Sequence, residues 1–142
     1  MQITWYGHSA FLLETVDGMR IFTDPCDPET GFTLRDIAAD VVTVSHNHHD
    51  HNYVKAFKGS PRIVKKDGVT ELEGVRITGF PSFHDSSKGR VRGTNLLFLI
   101  EADGVRVLHL GDLGHTLPAS TVEAIGPVDV LLCPIGGRFT ID

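Results

Sequence analysis

The amino-acid sequence predicts an α/β domain, and three features carry that prediction. Short β-branched and apolar runs recur along the chain, several of them joined by hairpin dipeptides such as Asp17-Gly18 and Asp103-Gly104. Val41–Val44, all β-branched, and Val128–Cys133, apolar but for Asp129, read as buried strands. Between such runs, Leu34–Ala39 and Pro118–Ile125 read as short helices. A chain of 142 residues has room for one domain with a real core.

Taken in order, Gln2–Tyr6 and Phe11–Thr15 read as strands around a Gly7-His8-Ser9 turn, and Met19–Phe22 follows the Asp17-Gly18 hairpin. Asp24-Pro25 and Asp27–Gly31 form a loop before the Leu34–Ala39 helix and the Val41–Val44 strand. A helix is expected over Asn52–Phe57, after a histidine-rich loop. Arg62–Val64 is a short strand, and Glu71–Phe80 is a hairpin around Glu73-Gly74. Asn95–Ile100 and Val105–Leu110 pair across Asp103-Gly104. Pro118 takes the first helical position of the last helix, and Val128–Cys133 closes the series before Pro134.

Composition narrows the function. The formal charge of −5, with no Lys/Arg-rich run, argues against a broad nucleic-acid-binding face, although a small basic pocket is allowed. The longest apolar run, Leu96–Ile100, is far too short to span a bilayer. Cys26 and Cys133 belong to no C-x-x-C pattern, so they read as isolated thiols rather than a disulfide framework. No basic-then-apolar leader follows Met1, so the cytoplasm is the expected compartment.

The chemistry concentrates in Ser45-His46-Asn47-His48-His49-Asp50-His51, where four of the chain's eight histidines fall within six positions. Its skeleton, His-x-His-x-Asp-His, follows a core strand directly. Side chains alternate in an extended segment, so His46 and His48 share a side and can grip one cation, while His49 faces away. Asp50 and His51 lie where the chain turns, placed for a second cation or the water it holds. A catalytic zinc ion takes three protein ligands and leaves a position for water. His84, in the loop after a strand, suits the third place. Asp112, flanked by Gly111 at the end of the Val105–Leu110 strand, could bridge two cations; as an isolated residue it would read as a turn aspartate. Every one of these candidates lies at the C-terminal end of a strand or in the loop after it. Asp50 is the candidate catalytic residue, orienting the attacking water or taking its proton.

The His46–His51 loop, His84 and the Gly111-Asp112 turn resemble the metallo-β-lactamase superfamily. Trp5-Tyr6-Gly7-His8-Ser9, Gly111–His115 and Pro134–Thr140 resemble its bacterial ascorbate-6-phosphate-lactonase-like, metal-dependent hydrolases. The resemblance runs from Met1 to Asp142 and implies a four-layer αββα sandwich with metals at one edge of its two sheets. It also implies that His46, His48 and His84 hold one metal ion, Asp50 and His51 a second, and that Asp112 bridges them. Members of that family add a further histidine to the second ion from a later strand, and no histidine follows His115 here. The expectation is a fold incomplete at its C-terminus, lacking the closing helix–strand–helix, with an open edge beside Val128–Cys133.

The expected activity is hydrolysis of an ester, lactone or phosphodiester by a metal-bound hydroxide. The expected cofactors are one or two divalent ions: zinc first, with manganese, iron or nickel also suited to His/Asp ligands. The partner is a small molecule, and an anionic group on it could be met by Arg90 and Arg92, which otherwise form a solvated basic loop. His8 and His115 either line the pocket or serve as structural hydrogen-bonders. Asp24 is a candidate support for a metal ligand. Two other readings stand beside the hydrolase. One is a fragment that binds metal without turnover, completed by a homo-oligomer or a companion chain. The other is an oxidoreductase on the same fold, disfavoured because its di-iron branch usually carries glutamate where this chain has His48.

Overall fold

A computed structural model describes residues 1–141. The backbone groups into two compact units, Met1–Lys65 and Lys66–Asp142, each built on one five-stranded sheet.

The sheet of the first unit runs in chain order. β1 (Gln2–Gly7), β2 (Ala10–Glu14) and β3 (Arg20–Thr23) are antiparallel, and β4 (Val41–Thr43) and β5 (Arg62–Val64) continue it in parallel. Period-2 alternation places Leu12, Phe22 and Val42 in one core with Leu34, Ile37 and Phe57. The register slips between Trp5 and Gly7, a bulge at which Gly7 (φ 101°) and His8 (φ 49°) both enter left-handed backbone.

Three expectations change here. Residues 34–39 form no helix: Asp36 takes φ 52°, which ends any helical turn, while Leu34 and Ile37 are buried by the irregular chain. Helical structure after the histidine loop shrinks to one 3₁₀ turn, Val54–Ala56, because Tyr53 donates its N–H to Pro25 O and Phe57 is already extended. The hairpin at Asp17-Gly18 has three loop residues rather than two. Thr15 N–H bonds Met19 O, and Thr15 Oγ1 accepts the Met19 N–H, which pins the longer loop.

In the second unit β6 (Gly68–Leu72), β7 (Val75–Phe83), β8 (Thr94–Ala102) and β9 (Val105–His109) form an antiparallel meander. Asp103 and Gly104 both have positive φ (53° and 71°), as a two-residue primed turn requires. β10 (Val130–Leu132) adds in parallel to β9 after the helix α1 (Ala119–Ile125). Pro118 is the N-cap of α1 and not its first residue; its carbonyl accepts from Thr121 and Val122. Ile125 packs with Leu97, Leu99, Leu108, Leu110 and Leu113. β10 ends the strand order of this sheet, and Leu131 is exposed. Among the described residues, no helix is long and apolar enough to cross a membrane.

Candidate metal centre

In the first unit the histidine loop leaves the end of β4, and Asp24 leaves the end of the neighbouring β3. Asp24 is fully buried, in left-handed backbone at φ 38°. Its Oδ1 accepts the Ser45 N–H at 2.8 Å. Its Oδ2 accepts from the Ser45 hydroxyl at 2.5 Å and pairs with His51 Nδ1 at 2.8 Å. Three donors on one carboxylate offset the cost of burying its charge.

This arrangement sets two tautomers. His51 Nδ1 faces a carboxylate and therefore carries a hydrogen, which leaves Nε2 as the lone-pair nitrogen. The single hydroxyl hydrogen of Ser45 goes to Asp24, so at 2.9 Å Ser45 Oγ accepts from His46 Nδ1. In the neutral ring His46 Nε2 is thereby also left with the lone pair. One buried aspartate thus orients two imidazoles with Nε2 as the lone-pair nitrogen. Ser45 is the relay between Asp24 and His46.

The rings of His46 and His48 lie 4.6 Å apart, and those of His46 and His51 4.2 Å apart. Beside them, His8, Asp50 and His51 bring three ligand atoms within 4.8 Å of one another. His49 turns elsewhere and groups with Asp27 and Glu29.

In the second unit His84 follows β7 and Asp112 follows β9, and His84 Nε2 lies 3.0 Å from Asp112 Oδ2. Asn95 and Gly114 hold their backbones. Asn95, buried on β8, accepts the Asp112 N–H at 3.0 Å and donates to Leu110 O and Ser82 Oγ, both at 2.9 Å. An asparagine on the buried side of an apolar strand is the signal that could have found it. Gly114 donates to Phe83 O at 2.9 Å, and a Cβ there would sit 2.3 Å from the His84 carbonyl carbon. Glycine is required for the segments that carry His84 and Asp112 to touch.

Asp85, next to His84, ties up the loop that follows. Its Oδ1 accepts from Ser87 and Gly89 N–H (2.7 and 3.0 Å), its Oδ2 from Val91 and Arg92 N–H (3.0 and 2.7 Å). The Arg92 amide above all, helped by the other three and opposed by burial, holds the carboxyl below the ordinary aspartate value of 3.8. Arg90 is exposed on this loop. The Arg92 guanidinium lies 4.9 Å from the Phe139 ring centroid, and Arg138 lies 5.0 Å from the same ring. His115 has both nitrogens engaged: Nε2 accepts the Phe83 N–H at 3.2 Å, and Nδ1 faces Thr116 O at 2.9 Å.

Comparison with known proteins places this chain. Residues 2–142 match the family model of the β-lactamase superfamily domain. A UPF0173 metal-dependent hydrolase of Thermococcus onnurineus is 31% identical over 169 residues, covering 99% of this chain and 75% of that protein. Among solved structures, a candidate Zn-dependent hydrolase of the metallo-β-lactamase superfamily from Thermotoga maritima superposes with a TM-score of 0.79 at 44% identity. Igni18, a metallo hydrolase of Ignicoccus hospitalis, gives 0.63 at 27%, over 99% of this chain and 72% of that one. The chain covers 98% of itself but only 63% of the Thermotoga protein, so it spans less than two thirds of that relative's length. The fold is therefore of the metallo-β-lactamase type, and the chain belongs to the β-lactamase superfamily, among its UPF0173 metal-dependent hydrolases.

Proposed function

We propose that this chain hydrolyses an ester, lactone or phosphodiester with one or two divalent ions, zinc first among them. The family resemblance implies that His46, His48 and His84 would hold one ion, that Asp50 and His51 would hold the other, and that Asp112 would serve both. The observation that carries it is the Asp24 relay, which leaves Nε2 of both His46 and His51 as the ligand nitrogen. A histidine kept only for packing has no need of a buried carboxylate that fixes its tautomer. The description of the Thermotoga relative as Zn-dependent supports zinc.

When bound, such ions lower the pKa of water and polarise the oxygen of the bond under attack. The remaining work falls to the protein. Asp50, half-buried, offers a second carboxylate oxygen to orient the attacking water and receive its proton. Asn95 and Gly114 fix the backbone that carries His84 and Asp112. Arg92 and Arg138, gathered on Phe139, are placed to bind an anionic group of a small-molecule substrate. Free thiols at Cys26 and Cys133 suit a reducing, cytoplasmic setting.

The test is turnover of a panel of esters, lactones and phosphodiesters by zinc-reconstituted protein. Hydrolysis that is lost on chelation, restored by zinc and absent in His46→Ala supports the reading. Activity that survives chelation, or an inert protein that nonetheless holds its zinc, refutes it.

A further inference from the structure

The second cation of the proposed hydrolase has only Asp50 and His51 from the histidine loop, and Asp112 shared with the first. We infer that His8 is a direct ligand of that cation, so that residues 1–65 supply three of its protein ligands. The inference rests on the binuclear reading above and adds a residue to it.

The distances favour coordination over a plain hydrogen bond. His8 Nε2 lies 3.5 Å and His51 Nε2 3.7 Å from the same oxygen, Asp50 Oδ2. Good hydrogen bonds of this type span about 2.7–3.2 Å, so both contacts are too long. Ligand atoms about 2.0–2.1 Å from a tetrahedral zinc ion stand about 3.3–3.5 Å from one another. The two distances to Asp50 Oδ2 approach that spacing, and all three ligand atoms lie within 4.8 Å of one another. The His8 and His51 rings meet nearly edge-on, at 77° with centroids 4.9 Å apart, so neither plane blocks the other's nitrogen.

The backbone delivers His8 to this place under strain. A non-glycine residue at φ 49° is uncommon, and it follows a bulge that inserts an extra residue into β1. The bulge is locked from both sides. Trp5 Nε1–H bonds the His8 carbonyl at 2.9 Å, and Gly7 lies so close to the Phe32 ring that a Cβ would come within 2.1 Å of it. Without the bulge, the alternation of the strand would send the side chain at position 8 to another face. Strain maintained this firmly is a mark of a functional position. On His51 the roles are divided: Nδ1 is held by Asp24, and Nε2 points to Asp50 and His8.

The test is zinc stoichiometry and affinity measured on the full chain by calorimetry and elemental analysis, independent of any turnover. His8→Asn is the variant of choice, because asparagine tolerates positive φ and is a poor zinc ligand. The wild type is expected to hold two equivalents. His8→Asn should keep one and bind the second about 100-fold more weakly or not at all. Cobalt substitution gives a second readout, since loss of one imidazole changes the visible spectrum of one of the two sites. Two equivalents at unchanged affinity and an unchanged cobalt spectrum in His8→Asn would overturn the inference, as would a wild type holding fewer than two. If zinc stoichiometry behaves as expected while no ester is turned over, the hydrolase reading fails and the ligand assignment stands.

Discussion

Asp24 Oδ2 and His51 Nδ1 lie 2.8 Å apart with both side chains fully buried. Asp24 directly follows β3 and His51 lies in the loop after β4, the neighbouring strand of the same sheet, and through Ser45 the same carboxylate also reaches His46. Asp24→Asn keeps the side-chain shape and suits the left-handed backbone at φ 38°. Its amide has one acceptor oxygen and one NH2 group, so either the Ser45 N–H or the pair Ser45 hydroxyl and His51 Nδ1 faces a donor in place of an acceptor. The variant should lose about 1–3 kcal/mol of stability in chemical denaturation and bind zinc about 10–100-fold more weakly. Unchanged zinc affinity would mean that the tautomers are set by something else.

Gly114→Ala probes the contact between the His84 and Asp112 segments of the second unit. Its Cβ would meet backbone atoms of His84 and Asp85 at 2.3–2.5 Å, and backbone cannot swing aside as a flexible side chain does. We expect a loss of about 2–3 kcal/mol, seen as a lowered thermal midpoint, together with weaker zinc binding. Gly104→Ala, where no atom lies within 4 Å of the new Cβ, should strain only its turn and leave zinc affinity alone.

The Arg92–Phe139–Arg138 cluster predicts a preference for anionic substrates. In a chain of charge −5, no carboxylate forms an ion pair with either arginine among the described residues. Arg92→Gln should raise KM for a negatively charged ester about tenfold and leave KM for its neutral counterpart unchanged. Steady-state kinetics on the two substrates decide the point, and an equal effect on both would remove Arg92 from substrate recognition.

Asp85 makes the loop after His84 sensitive to acid. Its carboxyl titrates below the ordinary aspartate value in the folded chain, so it adds stability above 3.8, and that contribution fades as pH falls through the lower folded value. Hydrogen exchange should show the Ser87, Gly89, Val91 and Arg92 amides protected at about pH 5 and progressively exposed below the ordinary aspartate range. In Asp85→Asn one of the two acceptor oxygens becomes a donor. Protection of two of those amides should then drop about tenfold or more at every pH.

What the sequence showed and what it hid divide by range. Asp103-Gly104 was legible because two adjacent residues determine that turn, and both adopt the positive φ it needs. The pairing of His46 with His48 was legible from their spacing, and their rings do adjoin. Leu34–Ala39 misled because Leu34 and Ile37 have helical spacing, yet each is buried by tertiary packing around a left-handed Asp36. Ser45, Asn95 and Gly114 were illegible for a related reason. Their partners, Asp24, Asp112 and His84, lie far along the chain, and no local pattern announces such a bond. His8 was legible as a pocket-lining or structural histidine, but its approach to Asp50 depends on a bulge that the strand pattern conceals.

The central claim is that Nε2 of His46 and of His51 binds the cation while Nδ1 keeps its hydrogen. Long-range proton–nitrogen correlation NMR of the imidazole rings during zinc titration tests it most directly. The account predicts that in both residues Nε2 shifts on zinc addition and Nδ1 retains the signature of a protonated nitrogen. Coordination through Nδ1, or rings that ignore zinc, would contradict it.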